Sequence, residues 1–194
     1  MDIVIAFKTF DKGVGLAGAL MGQQVLGSLV AQCARPSEPT RCFLDFEGVS
    51  VATASFVRAC VVGFRDYTRQ QNPNLYPVVA NASADLVEDL QIVLESRSDA
   101  IAVCDRDADG TTKNARVIGR LEIPQQETLN AVQILGVADA TSLHRQQGAE
   151  PKVKTPTAWN NRLAVLVAKG LLIEVSRGRA KSYRCVLPEL SYGS

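Results

Sequence analysis

One histidine in 194 residues, and five cysteines with no C-x-x-C pair, leave almost nothing from which to build a zinc site. The cysteine count is odd. Cys42, Cys60 and Cys104 lie in apolar runs, where a free thiol packs as a small hydrophobe. The expectation is a reduced, cytoplasmic protein. The chain has no run of about 18 apolar residues, so no membrane span is expected. The start Met1-Asp2-Ile3-Val4 has neither the basic residues nor the long apolar stretch of a signal peptide. His144, beside Arg145, has no serine or cysteine near it in a recognisable pattern, which gives a catalytic triad no support. Neither sign of charge is in excess: the net charge is +1, and by itself it names no partner.

What is present is the profile of a folded protein, with 46% hydrophobic and 21% charged residues in a length that suits one ordinary domain or two small ones. The charge is unevenly placed. Acids outnumber bases from Met1 to Glu122, whereas Lys152, Lys154, Arg162, Lys169, Arg177, Arg179, Lys181 and Arg184 are opposed only by Glu174. A basic segment at one end of a neutral chain is the footprint of contact with a polyanion.

Hydrophobic periodicity divides the chain in the same place. Apolar, β-branched runs predict strands over 2–7, 42–46, 75–80 and 100–104, with a further one over 116–121. Helices are predicted over 14–33, 55–70 and 83–96, the last capped by Ser83. This β-α-β-α-β-α-β order predicts an α/β sheet with helices packed on it, over residues 1–122. Residues 123–194 read differently. Helices are predicted over 125–135, 139–147 and 155–169. Asp139 opens the second, and Thr155, Pro156 and Gly170 punctuate the third. Strands over 171–175 and 182–187 then flank a Gly-containing basic tip.

On the 155–169 helix, Trp159, Leu163, Leu166 and Val167 share one face, and Thr157, Asn160, Asn161 and Ala164 share another. Short polar side chains suit a helix laid in the major groove, where Asn bonds adenine edges. The segment Thr157-Ala158-Trp159-Asn160-Asn161-Arg162-Leu163, with Lys169-Gly170-Leu171-Leu172, Arg177-Gly178-Arg179 and Tyr183, resembles the winged helix-turn-helix family. The resemblance implies double-stranded DNA as partner. Thr157, Asn160 and Asn161 would read the groove, and Lys152, Lys154, Arg177, Arg179 and Lys181 would hold phosphates. Protein contact or dimerisation is the other use such a unit has.

The segment Phe43-Leu44-Asp45-Phe46-Glu47-Gly48-Val49-Ser50-Val51-Ala52-Thr53-Ala54-Ser55-Phe56 resembles the STAS-like family, found in anti-sigma-factor antagonists: a strand, a short loop, then a serine opening a helix. The resemblance implies a protein partner for this part and makes Ser55 the counterpart of a phosphorylated switch serine, since a helix N-terminus receives phosphate well. Where antagonists carry Asp-Ser-x-Gly, this chain has Thr53-Ala54-Ser55-Phe56; the plain alternative makes Ser55 a helix cap. Pairing into a homodimer is a further implication of both resemblances.

Two motifs read as coincidental. Gly13-Val14-Gly15-Leu16-Ala17-Gly18 matches G-x-G-x-x-G, but Lys8–Lys12 separate it from the strand that a dinucleotide site needs beside it. Asp105-Arg106-Asp107-Ala108-Asp109-Gly110 opens like a calcium loop, but its twelfth position is Arg116 where a bidentate acid belongs. No cofactor and no metal are expected. The whole reads as a non-enzymatic regulator that binds DNA, with a protein-interaction switch akin to an anti-sigma-factor antagonist as the alternative.

Overall fold

The central strands are buried on both sides, and that dictates a covering layer on each face of the sheet. The computed structural model describes residues 2–146, 156–177 and 180–193, of which 156, 176, 177 and 180 are described by backbone alone. Strands β1 (Ile3–Ala6), β2 (Thr40–Asp45), β3 (Leu75–Ala80) and β4 (Ala100–Arg106) lie side by side in chain order, all parallel. β5 (Thr112–Gly119) returns antiparallel to β4, and β8 (Ser191–Tyr192) closes the sheet beside β5. The result is a mixed α/β fold on a mostly parallel six-stranded sheet.

Parallel strands laid down in chain order by right-handed crossovers put every connecting helix on the same face. Those helices are α1 (Ala19–Gln32), α2 (Ala54–Val57), α3 (Gly63–Gln71) and α4 (Ala84–Glu95), with a π-helical stretch, Arg58–Val62, joining α2 to α3. Their buried side chains, among them Val25, Leu29, Phe56, Phe64, Leu86 and Leu90, pack on Cys42, Leu44, Val79, Ile101 and Val103 of the strands. Side chains alternate along a strand, so the intervening residues Phe43, Tyr76, Val78, Ala102 and Val117 face the other way.

That second face is covered by the C-terminal elements α5 (Ile123–Leu135), α6 (Ala140–Gln146), α7 (Pro156–Ala168) and the hairpin β6 (Leu172–Arg177) and β7 (Ala180–Cys185). Leu129, Val132, Leu143, Trp159, Leu163, Leu166, Leu172 and Leu187 form one continuous cluster with the sheet residues. The core therefore runs unbroken across the change in pattern at Glu122, which itself caps α5 through a reciprocal pair of bonds with Gln125.

The largest departures from the sequence expectations are at α1, β5 and β8. Helix α1 begins at Ala19 instead of Val14 because Gly13, Gly15 and Gly18 all take positive φ. The Asp11 carboxylate fixes that loop by accepting the N–H groups of Gly13 and Gly15 at 2.9 and 3.0 Å. The Gly15 N–H above all holds its pKa below the ordinary carboxylate range, with burial opposing. β5 starts at Thr112, well ahead of the expected Arg116, so the acidic stretch from Asp105 is the tip of the β4–β5 hairpin. There Asp109 accepts the Thr111 N–H at 2.8 Å, Asp105 accepts Asn114 Nδ2 at 2.6 Å and Asp107 pairs with Lys113. β8 has no counterpart in the sequence reading; two residues carry too little periodicity to be seen.

Candidate functional site

Helix α7 is built to be buried on one side only. Its C-terminal end closes with a Schellman motif: Leu171 N–H donates to Leu166 O at 3.0 Å and Gly170 N–H to Val167 O at 2.9 Å, with Gly170 at φ 77°. Trp159, Leu163 and Leu166 are fully buried in the cluster beneath. Thr157, Asn160, Asn161 and Ala164 are all exposed, and their i, i+3, i+4, i+7 spacing makes them one row along the helix. Arg162, half-buried at the flank, lies 5.1 Å from the Trp159 ring centroid and 3.7 Å from Glu127. The expected Thr155 cap lies outside the described residues.

Beside α7, β6 and β7 pair from Leu172↔Cys185 to Arg177↔Ala180. The segment between α5 and α6 joins them: Ala138 and Tyr183 exchange both backbone hydrogen bonds, at 2.9 and 2.7 Å. On this hairpin Lys181 is exposed and pairs with Glu174 at 2.9 Å. Its hydrogen bond to Glu174 raises its pKa above the ordinary lysine value. Arg177 ends β6. Lys152, Lys154 and Arg179 lie outside the described residues.

Three basic residues of the C-terminal segment, Arg162, Lys169 and Lys181, are engaged within the protein, and Lys169 carries a connection that sequence reasoning missed. Lys169, just past α7, donates from Nζ to Ser98 O at 3.0 Å and to Asp99 Oδ1 at 3.1 Å. Asp99 in turn is bidentate with Arg65, a residue only 3% exposed. Arg65 also meets Asp66 at 2.8 Å and Ala100 O at 2.9 Å, and Asp66 reaches Arg97 at 2.6 Å. Burial works against the charge of Asp99, but hydrogen bonds from Arg65, their charge, the Ala100 N–H and Lys169 prevail and hold its pKa below the ordinary range. The C-terminal end of α7 is therefore anchored to the α3 and α4–β4 region, while its row of small polar side chains stays open to solvent.

Comparison with known proteins finds no matching family model and no matching curated protein.

Ser55 sits elsewhere, at the end of the sheet where the parallel strands finish. It is exposed and is the second residue of α2, two positions further in than the capping residue. The cap is Thr53, whose Oγ1 accepts the N–H groups of Phe56 at 3.4 Å and Gly18 at 3.1 Å. Ser55 Oγ is 3.2 Å from the same Thr53 oxygen. Phe56 is buried. The G-x-G-x-x-G loop is laid along this segment: Leu16 N–H donates to Val51 O at 2.8 Å and Thr53 N–H to Leu16 O at 3.0 Å. The signal for this pairing was two glycine-bearing loops that both follow parallel strands, which the sequence reading took separately. His144, on α6, is half-buried with its Nδ1 buried and lacking a hydrogen-bond partner among the described residues.

Proposed function

We propose that this protein is a non-enzymatic DNA-binding regulator in which α5, α6, α7 and the β6–β7 hairpin act as a winged helix, with a STAS-like α/β part as its sensing and interaction unit. The observation that carries the reading is the row Thr157, Asn160, Asn161 and Ala164. It is exposed, uncharged and short, on a helix whose opposite face is fully buried. Such a face admits close approach to base edges, and asparagine supplies the paired donor and acceptor that adenine requires. Arg177 and Lys181 lie on the adjacent hairpin, where backbone phosphates would pass. Lys152, Lys154 and Arg179 extend the same basic segment in the sequence.

The experiment is selection of bound sequences from a random duplex library by the purified full chain. Enrichment of a short motif that degrades when Asn160 and Asn161 are changed together to Ala supports base readout, at about 1–3 kcal/mol for each bidentate contact. A selected motif indifferent to that change would overturn the assignment of α7.

A protein-docking switch at the other end of the sheet has one observation in its favour. Val14, Leu20 and Val51 are large apolar residues, 82%, 71% and 57% exposed, on the paired loops and helix start that flank Ser55. In that reading Ser55→Asp weakens capture of a protein partner and leaves DNA affinity unchanged.

A further inference from the structure

A cleft of about 770 Å³ lies where the N-terminal ends of β2 and β3 meet the last turn of α7 and the hairpin. Its volume falls in the range of small-molecule sites, about 300–1,000 Å³, and junctions between structural units are where such sites recur. Its walls come from both sides of the core: Pro39 and Tyr76 from the sheet part, Val167 and Val175 from the C-terminal part.

Two arginines, Arg69 and Arg184, line it. Arg69 is held in place: its guanidinium carbon lies 4.1 Å from the Tyr76 ring centroid, and its Nη2 donates to Pro73 O and Leu75 O. Its Nε is buried without a partner, and no carboxylate pairs with it among the described residues. Burial lowers its pKa from the ordinary arginine value, with Tyr76 opposing. Arg184 of β7 is exposed at the cleft and forms no salt bridge among the described residues. The acids nearby are Glu38, exposed at the rim, and Glu174, which Lys181 holds at 2.9 Å.

We propose that this cleft is a binding site for a small planar carboxylate, with Arg69 and Arg184 on the carboxylate and Tyr76, Val167 and Val175 against the apolar body. A guanidinium fork matches a carboxylate in geometry and charge. The two acids at the cleft favour a monoanion over a phosphate dianion. The proposal goes beyond the DNA reading and does not depend on it.

The test uses the full chain and three probes of one size: benzoate, salicylate and the neutral benzamide, each at 5 mM. At least one carboxylate raises the midpoint of thermal unfolding by about 2–4 °C, as expected for a concentration several-fold above its dissociation constant. Benzamide leaves the midpoint unchanged. Arg184→Ala, at an exposed position, unfolds at the wild-type temperature without probe and loses the shift. Arg69→Lys keeps the charge but not the fork and at least halves the shift; where that variant fails to fold, Arg184→Ala decides. No shift with either carboxylate, an equal shift with benzamide, or a full shift in Arg184→Ala would each overturn the proposal.

Discussion

Replacing Asp99 with Asn tests the anchoring of α7 at a single atom. The carboxylate accepts from Arg65 Nη1 at 3.1 Å, the Ala100 N–H at 2.8 Å and Lys169 Nζ at 3.1 Å, and again from Arg65 Nη2. The amide keeps the shape and one acceptor but removes the charge facing two cations, one of them 3% exposed. Breaking a buried ion pair costs about 3–5 kcal/mol when the surviving charge has no other partner. Here Arg65 retains Asp66 and the Ala100 carbonyl, so the lower end applies, about 3 kcal/mol. With a urea dependence of about 2 kcal/mol per molar, the midpoint falls by about 1.5 M with an unchanged slope. The thermal midpoint falls by about 6–12 °C. The pH dependence has a defined sign. The folded carboxyl titrates below its unfolded value, so its stabilisation is complete above about pH 4 and is lost as pH falls through the depressed folded value. Asp99→Asn therefore narrows the gap to wild type in acid. A cycle with Lys169→Met isolates the bond that ties down α7, with a coupling of about 1 kcal/mol. A cost for Asp99→Asn below about 0.5 kcal/mol at pH 7, within the range of ordinary surface changes, would refute the reasoning.

Three further outcomes are expected. Trp159→Ala empties a fully buried site beneath α7 and costs about 3–5 kcal/mol, read by urea unfolding; a smaller cost than an exposed control such as Ala164→Ser would mean the helix is not seated as described. Gly119→Ala sets a methyl against the Asp99 carbonyl oxygen at φ 103°, so the variant should unfold at least 5 °C below wild type, and a wild-type midpoint would contradict the packing of β5 against the α4–β4 turn. Thr53→Ala removes the oxygen that both caps α2 and receives the Gly18 N–H, at a cost of about 1–2 kcal/mol, whereas Ser55→Ala costs less than about 0.5; equal costs would return the cap to Ser55.

Much of the fold was legible because its elements obey simple periodicities. The helix over Ala84–Glu95 carries its Ser83 cap, and local hydrogen bonding decides that end whatever lies around it. The partition of α7 into a face with Trp159 and a face with Asn160 and Asn161 follows from helical spacing alone. The packing of the C-terminal elements on the free face of the sheet was not anticipated, although the sequence holds the signal. Leu75-Tyr76-Pro77-Val78-Val79-Ala80 and Ala100-Ile101-Ala102-Val103-Cys104 do not alternate with polar residues, so both faces of those strands require cover. With chain-order strands, the connecting helices cover only one face. The Thr53 cap was hidden by the neighbouring Ser55, since both residue types cap well and only the geometry of the preceding loop chooses. The Asp99–Lys169 bond and the Arg69–Arg184 cleft join residues 70 or more positions apart, which no local pattern encodes.

The most direct test is fluorescence anisotropy of the full chain against a labelled 20-base-pair random duplex, titrated from 50 to 200 mM potassium chloride. With Lys152, Lys154, Arg177, Arg179 and Lys181 on phosphates, log affinity should fall against log salt with a slope of about −4.5, easing to about −2.7 when Arg177 and Arg179 are both Ala. No retention of the duplex at 50 mM salt, or a slope unmoved by the double change, would contradict DNA binding by this surface.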